Sequence, residues 1–483
     1  MIIVPANTLA AGGFSVDNSC RFNDGDSPQL HRSQPGTPTS TKIFTWSGWF
    51  KLGSSTSQIT LASSFTSGSI YDQIKIMALA THNQVLRIEA GSNEGNAIDL
   101  KASLSLRDPS AWYHLVLAVD TSQGVAANRD KVYINGTQIT SWQTETHSTQ
   151  NDTWHMNASG KTIKVGVYDN GTPQDFFDGY LAEVVQVDGQ QLTPTSFGEY
   201  DEDSPTIWKP INVSTLTFGN NGYYMDFEDS SALGNDVAGK GDFTVANLAA
   251  ADQATDTPTN NFCVLNSINP RHSDLTMSEG NCALASSNGQ WLGVSSTMAV
   301  SRGKWYAEWK YISGHNMKFG IVGNGGADVA WLTANVSYGG YLPVGYEYQY
   351  NNSGTGYRVN NNVSPSWSNG SFSSADSIIM MAFDADAGKI WWGRDGTWFN
   401  NTGTANPATG SDASTSSISS DNAPYIISCA LEGSGSTGFV NFGGCSAFAI
   451  SSAVADGDGY GAFEFAPPSG YFSICTKNLA EYG

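Results

Sequence analysis

The sequence predicts an all-β chain made of two antiparallel β-sandwiches joined by an irregular bridging segment. Three observations carry this. Two hairpin signatures stand in series, one per half: KVYINGTQI (131–139) turns at Asn135-Gly136, and KIWWGRDGTWF (389–399) turns at Asp395-Gly396. Asn-Gly and Asp-Gly suit a two-residue type I′ turn because both residues accept positive φ. Apolar residues alternate with period two in TWSGWFKLG (45–53), WYHLVLAVD (112–120) and KWYAEWKY (304–311), the signature of strands. Aromatic residues reach 12% and charged residues only 14%, with 52 glycines, a composition that favours strands and turns over long helices.

In chain order, residues 1–40 read as an arm carrying a first strand around Ser19–Asn23, and residues 41–200 as the first sandwich. In the strand at 45–53, Trp46, Gly48 and Phe50 share a face. QIKIMALA (73–80) and VLRIEA (85–90) form a hairpin, GYLAEVVQVDG (179–189) closes the sandwich, and PTSFGEYDED adds a short helix or turn. Residues 201–280 hold one clear strand, Tyr223–Glu228, and read as a packed bridging segment because Phe218, Tyr224, Phe227 and Phe243 require burial. Residues 281–483 form the second sandwich, with strands at KFGIVG, IIMMAFDAD, KIWWGRDG, APYIISCALEG and TGFVNFG. The Ser/Thr/Gly/Asn-rich stretch 400–422 reads as a long mobile or partner-held loop.

A chain of 483 residues supports two or three domains with cores of their own. Its net charge of −21 argues against nucleic acid, which needs a basic face, and against anionic membrane surfaces. No apolar run approaches the ~18 residues of a membrane span, so no membrane insertion is expected, and MIIVPANTLAAGGF lacks the basic start of a signal peptide. The six cysteines (Cys20, Cys263, Cys282, Cys429, Cys445 and Cys475) form no CxxC pair and are expected as free thiols.

The first half resembles the laminin G-like, concanavalin A-type lectin/glucanase sandwich, through TWSGWFK, WYHLVLAVD, VYINGTQI and FFDGYLAEVVQVDGQQLTPTSFGEYD. The second half resembles a SPRY domain, through GKWYAEWKY, FGIVG, AFDADAGKIWWGRDGTWF and VNFGG. The combination also resembles a family of marine bacteriophage structural proteins, through DNSCRFNDGDSPQL (17–30), FGEYDEDS, IWKPI and DTPTNNF (256–262). That resemblance implies a virion component, either a tail fibre, head fibre or similar appendage, or a capsid or tail decoration protein. Its partners would be other virion proteins and further copies of itself in a homo-oligomer. The arm residues MIIVPANTL either add to a neighbour's sheet edge or complete their own domain's sheet.

Glucanases of this type carry alternating carboxylates on one strand. The nearest matches are Glu199, Asp201 and Asp203, which follow the last strand, and Asp226 with Glu228, which lack a third acid. No GxSxG or Walker motif occurs, and His114 beside Trp112 reads as a structural histidine, so the chain is expected not to be an enzyme. No cofactor is required. Laminin G-like domains often hold calcium on their rim, and Asp169, Asp175 and Asp178 lie in a loop of that kind, although Asp and Asn are also common turn residues.

The candidate ligand-binding residues lie in YGGYLPVGYEYQYNNSGTGY (338–357) and beside it: Trp331, Tyr341, Tyr346, Tyr348, Tyr350 and Tyr357. Tyr346, Tyr348 and Tyr350 share one face of an extended segment. Tyrosines among small polar residues give wide contact at low entropic cost and stack on sugar rings, whereas the same pattern also serves a strand packed on its own sheet or on a neighbouring subunit. Trp142 and Trp154, flanking the loop 143–153, are secondary candidates. The expected function is recognition of host-surface glycan or protein.

Overall fold

The computed structural model describes residues 13–53, 58–67, 70–80, 83–91, 98–268, 273–314, 316–323, 345–351, 355–360, 366–371, 377–399 and 405–483. The chain is all-β, and the only α-helix among the described residues is Thr476–Tyr482. It divides into two compact units, one ending at Thr259 and the other running over Asn260–Gly483. The boundary thus differs from the expected bridge over 201–280, most of which belongs to the first unit.

The first unit packs two eight-stranded sheets. One runs, in spatial order, Thr137–Gln138, Asp130–Ile134, Trp112–Asp120, Ile43–Leu52, Gly179–Asp188, Ser19–Phe22 and Gln253–Ala254, with Tyr223–Met225 also paired to Gly179–Asp188. The other runs Trp142–Thr146, Ile98–Ala102, Asn83–Gly91, Ile70–Ala80, Ile59–Ser67, Thr162–Val165, Gln29–Ser33 and Thr244–Ala246. Between them lies a core that includes Trp46, Phe50, Leu61, Ile74, Ile88, Leu117 and Leu181, all fully buried. The expected first strand is present as Ser19–Phe22. Residues 19–33 are more than an arm, because they supply a strand to each sheet.

Alternation places Trp46 and Phe50 in this core as expected. Gly48 between them is required: an added Cβ would stand 2.7 Å from the Trp46 ring. Opposite Gly48, the strand Gly179–Asp188 carries a bulge, with pairing shifting between Ala182 and Val185. Glu183 there takes φ 49°. The bulge advances the alternation by one residue, so Leu181 and Val184 face the core whereas Val185 and Val187 face outward.

That outward face explains where residues 192–224 go. Val116, Ala118, Val185 and Val187 make it apolar, and Phe197, Val213, Phe218 and Tyr224 cover it. Their strands, LVLAV and AEVVQV, are apolar on both faces, which is the pattern of a doubly covered sheet. Asp188 fastens the cover. Its buried carboxylate accepts from the backbone N–H of Thr39 (2.6 Å), Ser40 (3.1 Å), Asn220 (3.2 Å) and Asn221 (3.1 Å), and from Asn157 Nδ2 (2.7 Å).

The second unit repeats the plan. Its seven-stranded sheet runs Leu275–Ser278, Ala283–Ser286, Ser436–Asn441, Lys304–Ser313, Ile378–Asp384, Lys389–Arg394 and Thr397–Phe399. Its six-stranded sheet runs Trp291–Val300, Tyr425–Glu432, Asn316–Gly323, Gly345–Asn351, Thr355–Asn360 and Ser366–Ser371. The core between them includes Trp305, Trp309, Phe319, Met381, Phe383 and Trp392. Trp309 and Phe319 stack across it at 4.3 Å.

Tyr306, Met380, Ala382 and Trp391 face outward beneath Phe463 and Tyr471. Glu308, fully buried, holds this cover by accepting from the N–H groups of Glu464 (3.0 Å) and Phe465 (2.8 Å), Tyr306 OH (3.0 Å) and Asn441 Nδ2 (3.1 Å). The stretch 405–422 differs from the expected mobile or partner-held loop. It bonds to its own sheet, through Trp391 Nε1 to Ser411 O (2.8 Å), Lys389 Nζ to Gly410 O (3.0 Å) and paired backbone bonds between Ile390 and Thr415.

Both hairpin turns have the expected geometry: Asn135 and Gly136 at φ 47° and 77°, Asp395 and Gly396 at φ 47° and 83°. All six cysteines are buried free thiols.

Removing the Asp188 carboxylate strands several buried donors at once, so Asp188→Ala is expected to destabilise the first unit by about 3–5 kcal/mol. Glu202→Ala, at an exposed position, is expected to shift stability by no more than about 0.5 kcal/mol. Urea unfolding of the two variants measures the difference, and equal midpoints would rule out the fastening role.

Candidate functional site

The tyrosine-rich segment is laid out as strands on one side of the six-stranded sheet. Tyr346, Tyr348 and Tyr350 lie on Gly345–Asn351 and Tyr357 lies on Thr355–Asn360. Trp331 and Tyr341 lie outside the described residues, as do the side chains of the four strand tyrosines. The register is defined: Tyr346, Tyr348 and Tyr350 are paired with Ile321, Phe319 and Met317, each fully buried in the second core. Residues directly opposite in an antiparallel pair share a face. Tyr357 is paired with Gln349, which is itself opposite Lys318, and so occupies the alternate set of positions.

Asp201 and the acids of the expected calcium loop are engaged by neighbouring groups. Asp201 caps a turn, accepting from the N–H groups of Asp203 (3.0 Å) and Ser204 (2.9 Å) and pairing with Lys209 at 3.2 Å. In the expected calcium loop, Asp169 pairs with Lys164 and accepts from Gly171 N–H (2.7 Å). Asp175 accepts from Gln58 Nε2 (2.5 Å), and the Asp178 carboxyl packs against Gly53. Among the described residues, no three acidic, histidine or cysteine side chains are grouped to hold a metal. Trp154 belongs to the first core, edge-on to Phe44 at 5.5 Å, while Trp142 is half-buried on an edge strand.

His114 is fully buried. Trp208 Nε1 donates to its Nδ1 (2.9 Å), so the ring proton resides on Nε2, which faces Ser47 Oγ at 2.8 Å. Burial holds its pKa down at about 3, and Trp49 stacks on the ring at 4.6 Å. It is a neutral structural histidine.

One acidic group was not legible as a partner for Asp226 and Glu228. Glu183, on the bulge, is 5% exposed and accepts from Tyr224 OH with both carboxylate oxygens (3.1 and 2.9 Å). Burial raises its pKa to about 8, and the charges of Asp226 and Glu228 push it in the same direction. Burial and Asp226 likewise raise Glu228, which is exposed. A charged residue inside the apolar run YLAEVVQV was the available signal; its meeting with residues about forty positions onward depends on the pairing of Val184–Gln186 with Tyr223–Met225.

Residues 24–195 match the family model described as the concanavalin A-like lectin/glucanases superfamily. Among curated proteins none matches the chain significantly. Several solved structures are similar in fold. A heptameric SAP-like pentraxin from Limulus polyphemus is 17% identical over 37% of this chain and 78% of its own, with a TM-score of 0.29. A Bacteroides ovatus protein proposed to bind carbohydrate is 15% identical over 49% of this chain and 61% of its own, with a TM-score of 0.31. The SPRY domain of human HERC1 is 12% identical over 37% of this chain and 96% of its own, with a TM-score of 0.26.

Because the folded-state pKa of Glu183 is raised, its contribution to stability is full below the ordinary carboxyl pKa and is lost as pH rises to about 8. A tenfold difference in proton affinity between the folded and unfolded chain corresponds to about 1.4 kcal/mol. Glu183→Gln is therefore expected to be more stable than the parent at pH 9 and to flatten the fall in stability between pH 4.5 and 8. Unfolding midpoints across that range test this; parallel pH profiles for parent and variant would contradict it.

Proposed function

We propose that this chain is a non-catalytic recognition protein on a virion surface, a tail fibre, head fibre or similar appendage, that binds host-surface glycan. The observation that carries the reading is the layout of the Tyr-, Asn-, Ser- and Gly-rich segment. Its three strands, Gly345–Asn351, Thr355–Asn360 and Ser366–Ser371, are consecutive and, among the described residues, end at the edge of a sheet. Such residues combine ring faces for sugar stacking with amides and hydroxyls for hydrogen bonding. The lectin/glucanase match over residues 24–195 supports carbohydrate as the ligand class. The chain acts as a homo-oligomer among other virion proteins, and the virion assignment rests on the resemblance of its segments to phage structural proteins.

Two other roles compete. A decoration or assembly protein would use the same edge to hold a neighbouring subunit. A polysaccharide-degrading enzyme is favoured by one observation, the approach of Asp226 and Glu228 to a buried Glu183 whose raised pKa suits a general acid.

Binding of the full chain to glycan arrays and to purified host polysaccharide tests these readings. Tyr357→Ala, Tyr341→Ala and Trp331→Ala are each expected to weaken glycan binding at least ~10-fold, about 1.4 kcal/mol, with an unchanged melting temperature. Binding indifferent to all three would rule out a glycan site built from residues 331–357. Release of reducing ends that Glu228→Gln abolishes would replace recognition with hydrolysis.

A further inference from the structure

The first unit holds a lysine and an aspartate that are withdrawn from water completely. Lys51 Nζ lies 2.6 Å from Asp256 Oδ2, and each side chain is 1% exposed. Lys51 is on the central strand Ile43–Leu52; Asp256 follows the edge strand Gln253–Ala254, 205 residues later in the chain. Trp112 Nε1 donates to the other carboxylate oxygen, Oδ1, at 3.0 Å. The Tyr180 ring lies 5.8 Å from Nζ and 6.3 Å from the Trp112 ring, so aromatic walls flank the pair. The carboxyl of Asp178, 3% exposed, fills the space beside Gly53, two residues beyond Lys51. A buried ion pair is a poor stabiliser, since desolvation offsets the attraction and an apolar replacement often does as well.

We propose that Lys51 and Asp256 are joined by an isopeptide bond that the folded chain forms on itself. Proton transfer within the pair converts the ammonium and carboxylate to amine and carboxylic acid. The Nζ lone pair attacks Cγ of Asp256 and the C–N bond forms. The Trp112 N–H faces the oxygen on which negative charge develops, as an oxyanion donor does. The proton shed by nitrogen passes to the departing hydroxyl; the C–O bond breaks and water leaves. The balance is one ammonium and one carboxylate to one amide and one water, with no oxidant or cofactor. Fixed contact between nucleophile and carbonyl supplies the effective concentration that such a condensation lacks in solution. The product removes two buried charges and ties the central strand to the last segment of its unit.

Intact-mass measurement of the full chain under denaturing conditions tests this. The expected mass is lower than that of the sequence by one water, and protease digestion yields a branched peptide containing Lys51 and Asp256. Lys51→Arg restores the full mass while leaving a positive charge at the site. A parent chain at full sequence mass would overturn the proposal, as would a one-water deficit that persists in Lys51→Arg, which would place the dehydration elsewhere.

Discussion

In both units the outer face of a sheet carries an apolar cluster of its own, and an irregular layer must be fastened over it. Hydrophobic burial draws the layer down but does not fix its path, because it is non-directional. Buried carboxylates fix the path. Asp188 and Glu308 each gather backbone N–H groups from the covering segments. Asp236 does the same for Tyr224, Ala238 and Lys240 while pairing with Arg32 at 3.0 Å. Asp456 binds the N–H groups of Asp458, Tyr460 and Ser473 together with Asn478 Nδ2. A carboxylate offers about four acceptor sites, so one side chain can satisfy donors that loops would otherwise bury unpaired.

This arrangement changes the meaning of the net charge of −21. Part of it is internal scaffolding, as Asp188, Asp236, Asp256, Glu183 and Glu308 are all buried. These acids differ in how well they are compensated. Asp256 has a lysine and an indole N–H, whereas Glu183 has a phenol and two acids nearby. Glu308, despite four donors, is raised to about 7 by burial. Folding and charge are therefore coupled near neutral pH in both units.

The candidate sites were legible to different degrees. The tyrosine run at 346–350 could be assigned to a strand from its period, and that strand is present. Which face of the sheet those positions share depends on their pairing with Met317–Ile321, a register that periodicity alone leaves open. Glu183 shows the same limit: its place in an apolar run was visible, while its approach to Tyr224 and Asp226 arises from a bulge and a strand pairing across some forty residues.

What local chemistry can encode was readable from the residues alone. Period-two alternation and aromatic content specified strands and the all-β class, and Asn135-Gly136 and Asp395-Gly396 specified their turns, because those pairs tolerate positive φ at both positions. The assignment of residues 19–33 and 201–259 to the first unit, and the seating of 405–422 against its own sheet, emerge only once the chain is folded. Those segments have little periodicity. Their positions are set by which apolar face needs covering and where a buried carboxylate waits for their N–H groups, and both are properties of the assembled sheets.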